Sequence, residues 1–150
     1  MTPPRTPEAL KAAVAALQVG SNPVYQPGHL VTGSTWCNRF ASDVTALLGC
    51  PVPFHKANEQ LAYLAGLEGA GHGWRELVGP TRRIVAVDQA ERGFPTLAVW
   101  SNPGGHGHIA LLIPGPPGKM FIAQAGATNF SSGPISAGFG TLPFRLFTHG

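Results

Sequence analysis

The spacing of the apolar residues changes once along the chain, and this change limits the fold more than any other feature. Up to Gly93 the apolar residues recur at intervals of three and four, which is typical of amphipathic helices. Beyond it they form short runs separated by Gly, Pro and Asn, at residues 96–100, 108–113, 119–125 and 144–148. Helices followed by strands predict an α+β fold, with N-terminal helices packed on a C-terminal antiparallel sheet meander.

The composition indicates one loop-rich globular domain spanning residues 1–150, in which we expect residues 1–5 to be a frayed, Pro-rich lead. The 150 residues are 43% hydrophobic and 11% charged, enough to bury one core. The low charge excludes a coiled coil or a long solvated helix. No apolar run approaches the ~18 residues that span a bilayer, and the net charge of +3 includes no Lys/Arg cluster of the kind that binds nucleic acid.

Capping signals predict where the helices of the first half begin and end. Thr6 is a candidate N-cap before a proline at the first helical position, and Gly20 ends that segment. The second helix follows Ser34-Thr35 and ends at Gly49, before a proline. Further helical patterns cover residues 56–67, 74–78 and 85–92.

Cys37 lies in the first turn of the predicted second helix, on the apolar face that it shares with Phe40 and Val44. The amides and the macrodipole at a helix start stabilise a thiolate, which is the reactive form of cysteine. Cys50 lies at the other end of the same helix, roughly 20 Å away at ~1.5 Å per residue, far beyond the ~7 Å limit for a disulfide. Cys37 is therefore a candidate nucleophile, and the alternative is a small buried apolar residue.

His108 and Gln124 are the candidate partners of that cysteine. His108 opens an apolar strand directly after a Gly/Pro loop, and a neutral imidazole next to a thiol can accept its proton. Gln124 lies among apolar neighbours on the next strand, where an amide needs a hydrogen bond. Antiparallel pairing would return that strand towards His108, so Gln124 or Asn129 could contact the ring nitrogen that faces away from the sulfur. We prefer Gln124 because it lies on the strand, although a solvated edge residue is the alternative.

Three stretches, TWCNRFASDVTALLG, LAVWSNPGGHGHIALLIPG and FIAQAGATNF, together resemble the papain-like bacterial amidases of the CHAP and NlpC types. The likeness covers about residues 35–126. It rests on a cysteine at a helix start, a Gly-His before an apolar strand and a polar residue on the next strand. The resemblance implies a papain-like fold and a catalytic triad of Cys37, His108 and Gln124. Many relatives carry Asn, Glu or His at the third position.

The resemblance also implies a cysteine amidohydrolase or peptidase that cleaves an amide bond of peptidoglycan by acyl transfer, as a lysin or an antibacterial effector. The candidate substrate-binding residues are Trp36, Tyr25, His106 and Asn129. No cofactor and no metal are expected. In particular, the acidic loop through which some CHAP domains bind calcium is missing, since Asp43 and Asp88 lie far apart.

The expected partner is peptidoglycan, and an inhibitor or immunity protein is a further candidate. We expect a monomer that binds neither nucleic acid nor a membrane. Glu8 and Lys11 interrupt the apolar residues near the N-terminus, so no signal peptide is expected. The hypothesis is therefore synthesis in the cytoplasm and action at the cell wall after release or injection.

Three other interpretations stay open. The same fold could serve as a non-catalytic module that binds the cell wall or a peptide, or as a protease or isopeptidase acting on a protein substrate. A zinc site could instead be assembled from His106 and His108 with His72 or Cys37. The His-x-His pattern is a weak signal for zinc, because neither Cys-x-x-Cys nor His-Glu-x-x-His accompanies it.

Overall fold

Helices precede most strands in the computed structural model, which describes residues 3–26 and 36–150. The helices in these ranges are α1 Pro7–Leu17, a short 3-10 helix Pro23–Tyr25, α2 Trp36–Leu47, α3 Ala57–Ala65, α4 Leu67–Gly71, α5 Arg82–Glu91 and α6 Ile135–Phe139. The strands are β1 Trp74–Leu77, β2 Thr96–Trp100, β3 His108–Ile113, β4 Phe121–Gln124, β5 Phe130–Pro134 and β6 Arg145–His149. The protein is α+β, as the change in apolar spacing predicts.

The strands form one six-stranded sheet in the order β1-β6-β2-β3-β4-β5, and all neighbours are antiparallel. Strands β2, β3 and β4 follow one another as the predicted meander, and β5, which is not predicted, continues it. The predicted fourth strand over residues 144–148 is β6, and it does not follow β4 in the sheet. The last strand, β6, returns to lie between β1 and β2, so it is an interior strand. In the β2–β3 pair Trp100 lies opposite His108, which places the start of β3 beside the end of β2.

Both faces of the sheet are covered by apolar side chains, and β3 contributes to each. Ile109 and Leu111 join the core formed with α1, α2 and α3, whereas Ala110 and Leu112 join the core formed with α5 and α6. All four are at most 1% exposed. The predicted central position of this strand is therefore confirmed, and each fully buried Leu or Ile contributes about 1.5–3 kcal/mol to folding.

The start of α1 and the end of α2 follow the capping signals, whereas α1 ends at Leu17, before the predicted Gly20, with Gln18 as a left-handed C-cap at φ 47°. Thr6 Oγ1 accepts a hydrogen bond from Ala9 N at 3.1 Å, so Thr6 is the N-cap of α1. Helix α2 ends just before Gly49, whose φ of 79° is favourable only for glycine. Ser34-Thr35, the predicted start of α2, lie outside the described residues.

Residues 1–5 are predicted to be frayed, but Arg5 is held in place by hydrogen bonds. Its Nη1 donates to Leu48 O at 3.1 Å, and its Nη2 donates to His149 Nδ1 at 2.9 Å. Residues 1 and 2 lie outside the described ranges. The guanidinium thus connects the segment before α1 to the end of α2 and to β6.

Strand β1 corrects the helix predicted over residues 74–78. Trp74 and Leu77 are buried, and all four residues of the strand pair with β6, from Trp74 opposite His149 to Leu77 opposite Leu146. A partner so distant in the chain overrides the local helical pattern. The sequence does not predict α4, β5 or α6, because Gly, Ser and Pro are frequent in those segments. None of the described helices is long and apolar enough to cross a bilayer.

Candidate active site

Cys37 is the second residue of α2, and only 2% of it is exposed. Phe40 and Val44, on the same helix face, are fully buried in the core that α2 forms with the sheet. This packing holds the start of α2 close to the start of β3, where Cys37 forms a hydrogen bond with His108. Cys37 and Cys50 are both thiols, as the helical separation predicts.

His108 is the first residue of β3 and is partly buried. Its Nε2 lies 2.7 Å from Gln124 Oε1, so the hydrogen bond predicted between these side chains is present. Because Nε2 is engaged with Gln124, Nδ1 is the nitrogen left to face the sulfur of Cys37. The imidazole therefore bridges a thiol on a helix and an amide on the neighbouring strand.

The orientation of the Gln124 amide follows from its second contact. Gln124 is the last residue of β4 and only 3% exposed, and its Nε2 donates to Thr128 O at 2.8 Å. A carbonyl oxygen only accepts hydrogen bonds, so the amide nitrogen must face Thr128 and Oε1 must face His108. It follows that His108 Nε2 carries a hydrogen and donates it to Oε1. In the neutral ring, the lone pair is then on Nδ1, towards Cys37.

The surroundings of His108 favour its charged form. Burial lowers the pKa of His108, but the hydrogen bond and the charge of Cys37, together with the hydrogen bond to Gln124, outweigh it, and the net pKa is raised. An imidazolium beside a thiolate is the state that these contacts stabilise. At Cys50 burial is the stronger effect, since it raises the pKa of that thiol more than the Arg5 guanidinium lowers it. Cys50 therefore stays a neutral thiol more readily than an ordinary cysteine.

The loop before His108, residues 101–107, is held by Asn58 of α3. Asn58 Nδ2 donates to Asn102 O at 2.7 Å and to Gly105 O at 3.0 Å, and its Oδ1 accepts from Asn102 N at 2.9 Å. Gly107 lies so close to Trp100 O that an added Cβ would overlap it. The sequence does not indicate this role of Asn58, because an Asn near a helix start is usually a cap or a solvated residue.

Tyr25 is a core residue, which corrects its prediction as a substrate-binding residue. It is 1% exposed, its hydroxyl donates to Asp43 Oδ2 at 2.5 Å, and its ring meets the edge of Phe40. Burial, reinforced by Asp43, raises the pKa of Tyr25. The hydroxyl is therefore used within the core and is not available to a ligand.

Asn129 binds the backbone of two other segments. Its Nδ2 donates to Tyr25 O at 2.6 Å and to Val19 O at 3.3 Å, and its Oδ1 accepts from Gly126 N at 2.8 Å. These contacts tie the loop after β4 to the segment after α1. Of the two candidates for the third position, Gln124 is the one that contacts His108. The assignment of Asn129 to substrate binding is also corrected, because its amide is occupied by these backbone groups.

Trp36 directly precedes Cys37 in the chain, and His106 lies two residues before His108. Trp36 is partly buried against the core on the α2 face of the sheet, and among the described residues no acceptor bonds its buried Nε1. His106 is exposed in the loop that leads to His108. Their binding of substrate stays a prediction.

The zinc set proposed as an alternative does not assemble. His72 stacks on Tyr63, with ring centroids 6.3 Å apart, and its Nδ1 lies 2.8 Å from Glu68 O. Both nitrogens of His108 face side chains of the protein. Within residues 3–26 and 36–150, no group of three or more His, Cys, Asp and Glu side chains is arranged to hold a metal ion.

In comparisons with known proteins, no protein family model and no curated protein matches the chain.

Proposed function

We propose that the protein is a cysteine-dependent hydrolase that cleaves an amide bond of peptidoglycan by acyl transfer. The observation that supports this proposal is the hydrogen-bonded series from Cys37 through His108 to Gln124 and on to Thr128 O. A nucleophile, a base in contact with it and a third group that orients the base are the parts that covalent catalysis needs.

The reaction follows from the charge state of the pair. The Cys37 thiolate attacks the amide carbonyl carbon, and the carbonyl electrons move to the oxygen. Backbone amides at the start of α2, including that of Cys37, stabilise the oxyanion. His108 then donates its proton to the leaving nitrogen, and the amine departs from a thioester on Cys37. His108 next takes a proton from water, the resulting hydroxide attacks the thioester, and the thiolate is released with the acid product.

The substrate class is inferred from the resemblance to the CHAP and NlpC amidases and from charge. The chain has a net charge of +3, which favours association with an anionic polymer such as a bacterial wall. The proposal includes action at the wall after release or injection, as a lysin or as an antibacterial effector. In the second case an inhibitor or immunity protein would be needed by the producing cell.

Digestion of purified peptidoglycan, with the fragments weighed by mass spectrometry, tests the proposal. The wild-type chain is expected to release new amines, and Cys37→Ala is expected to lower the rate by more than about 1,000-fold while wall binding is retained. Cys50→Ala is the matched control, since it removes the other buried thiol and should keep turnover.

Two results would contradict the proposal. If walls from several bacterial types yield no new amine although both wild type and Cys37→Ala bind them, the protein is a binding module. If a protein substrate is cleaved through Cys37 while walls stay intact, the protein is a protease or isopeptidase.

A further inference from the structure

Helix α6 packs directly behind the His108–Gln124 pair. Phe139, its last residue, is 2% exposed, and its ring centroid lies 4.7 Å from that of His108 at an interplanar angle of 54°. The Phe139 ring also packs against that of Phe144, with ring centroids 5.2 Å apart. The imidazole thus has an aromatic wall that is itself supported by a second ring.

Gly138, the preceding residue of α6, lies against Gln124. A Cβ added at Gly138 would overlap Gln124 Oε1 and would come within 2.8 Å of Ile122 Cδ1. Glycine is unfavourable inside a helix, so the close approach gives a physical reason for its presence there. The atom of Gln124 that Gly138 approaches is the oxygen that bonds His108 Nε2.

We propose that Gly138 and Phe139 are positioning residues for His108, in the reaction proposed above. Phe139 limits rotation of the imidazole, and Gly138 lets α6 come close enough to confine Gln124 Oε1 against Nε2. If the imidazole rotated, it would lose its hydrogen bond to Cys37 or to Gln124. A displacement of about 1 Å at a reacting group can lower a rate about 100-fold. The expected effects on kcat rest on the proposed function, whereas the NMR titration of His108 does not depend on it.

The variant Gly138→Ala tests the contact with Gln124. The added methyl must push Gln124 Oε1 away from His108, so we expect kcat to fall about 100-fold with KM changed less than about twofold. The hydrogen bond to Gln124 raises the pKa of His108, so its loss should lower the pKa of His108 in an NMR titration of the ring protons. Alkylation of Cys37 at neutral pH, in a Cys50→Ala background, should slow as well, because the imidazolium stabilises the thiolate.

Gly71→Ala is the matched control for this substitution. It makes the same change in another short helix, α4, where a Cβ at Gly71 would meet no described atom within 4 Å. Its kinetics, its His108 titration and its alkylation rate should equal those of the wild type.

Phe139→Leu tests the aromatic wall, with Phe144→Leu as its control. Both remove a ring from the same cluster, but only Phe139 contacts His108. We expect Phe139→Leu to lower kcat about tenfold and to shift the His108 titration. Phe144→Leu, which acts on His108 only through Phe139, should lower Tm with a much smaller change in kcat and in the titration.

Unchanged His108 titration and Cys37 alkylation in folded Gly138→Ala would overturn the inference, whatever the activity. If Gly138→Ala does not fold, equal kinetics and titration in the two Phe variants would overturn it. If the wild type cleaves no wall but Gly138→Ala still shifts the titration, the proposed function fails and the positioning of His108 stands.

Discussion

At the scale of single residues, Gln124 determines which nitrogen of His108 carries a hydrogen. The orientation of the Gln124 amide is fixed by Thr128 O, a backbone carbonyl that can only accept hydrogen bonds. An amide in this position has no charge to gain or lose. It orients the imidazole over the whole pH range in which the protein is folded.

The variant Gln124→Ala is expected to move the pH profile of activity. In a thiolate–imidazolium pair the active form is lost at high pH, when His108 loses its proton, so the alkaline limb of kcat/KM follows the pKa of His108. Contacts with Cys37 and Gln124 raise this pKa above the ordinary value of 6.5. Removing the Gln124 hydrogen bond should therefore shift the alkaline limb to lower pH.

Gln89→Ala is the control for that measurement, because Gln89 is also a buried glutamine but donates to Thr148 Oγ1, away from His108. The alkaline limb of Gln89→Ala should coincide with that of the wild type. Equal shifts in the two variants would show that Gln124 has no specific effect on His108.

Single residues also differ in how far the sequence indicates their roles. Cys37, His108 and Gln124 could be predicted because each has a local signal: a helix start, a strand start and an amide among apolar neighbours. The true roles of Tyr25 and Asn129 depend on Asp43 and on the carbonyl of Val19, which are distant in the chain. No local pattern indicates such contacts.

At the scale of elements, the position of His108 depends on how the loop before β3 is joined to α3. Asn58 makes three hydrogen bonds to the backbone of that loop. Loops without regular structure are otherwise the most mobile parts of a fold. The amide of one helical residue thus adds to the hydrogen bond that the loop makes within itself, from Gly105 N to Asn102 O at 3.2 Å.

Asn58→Ala is expected to loosen this loop. The loss of its hydrogen bonds should lower the free energy of unfolding by about 1–3 kcal/mol and should also lower kcat, because the loop leads directly into His108. Chemical denaturation and steady-state kinetics measure the two effects.

The matched control is Asn22→Ala, which removes an asparagine that accepts from Val24 N and donates to Leu17 O, outside the candidate site. A similar loss of stability is expected there, with kcat unchanged. If both variants lower kcat equally, the loop connection has no special role.

Elements also differ in how well their sequences predict them. Helices α1 and α2 and strands β2, β3 and β4 have strong apolar periodicity together with caps or turns, which indicate them nearly at their observed ends. Strand β1 has a local helical pattern, and only its pairing with β6, between residues far apart in the chain, makes it a strand. Helix α6, which supports His108, has a Gly-rich sequence without a helical signal.

At the scale of the whole molecule, the order of the sheet makes the last strand a central one. Strand β6 pairs with β1 on one side and with β2 on the other, and Phe147 at its middle is fully buried. The N-terminal helices and the C-terminal strand thus depend on the same core.

Phe147→Ala should therefore destabilise the whole fold, by about 3–5 kcal/mol. Phe130→Ala is the comparison, since Phe130 is a partly buried phenylalanine on the edge strand β5. Denaturant titrations should give a loss for Phe130→Ala less than half as large. Equal losses would mean that the interior position of β6 adds nothing to its importance.

The contact between Arg5 and His149 joins residues that are 144 positions apart. The segment before α1 is consequently attached to the end of β6 by a side-chain contact rather than by strand pairing. A contact between segments so far apart in the chain forms only when both have reached their places, since closing such a long loop costs conformational entropy. The position of the first helix and that of the last strand are thus coupled through one guanidinium.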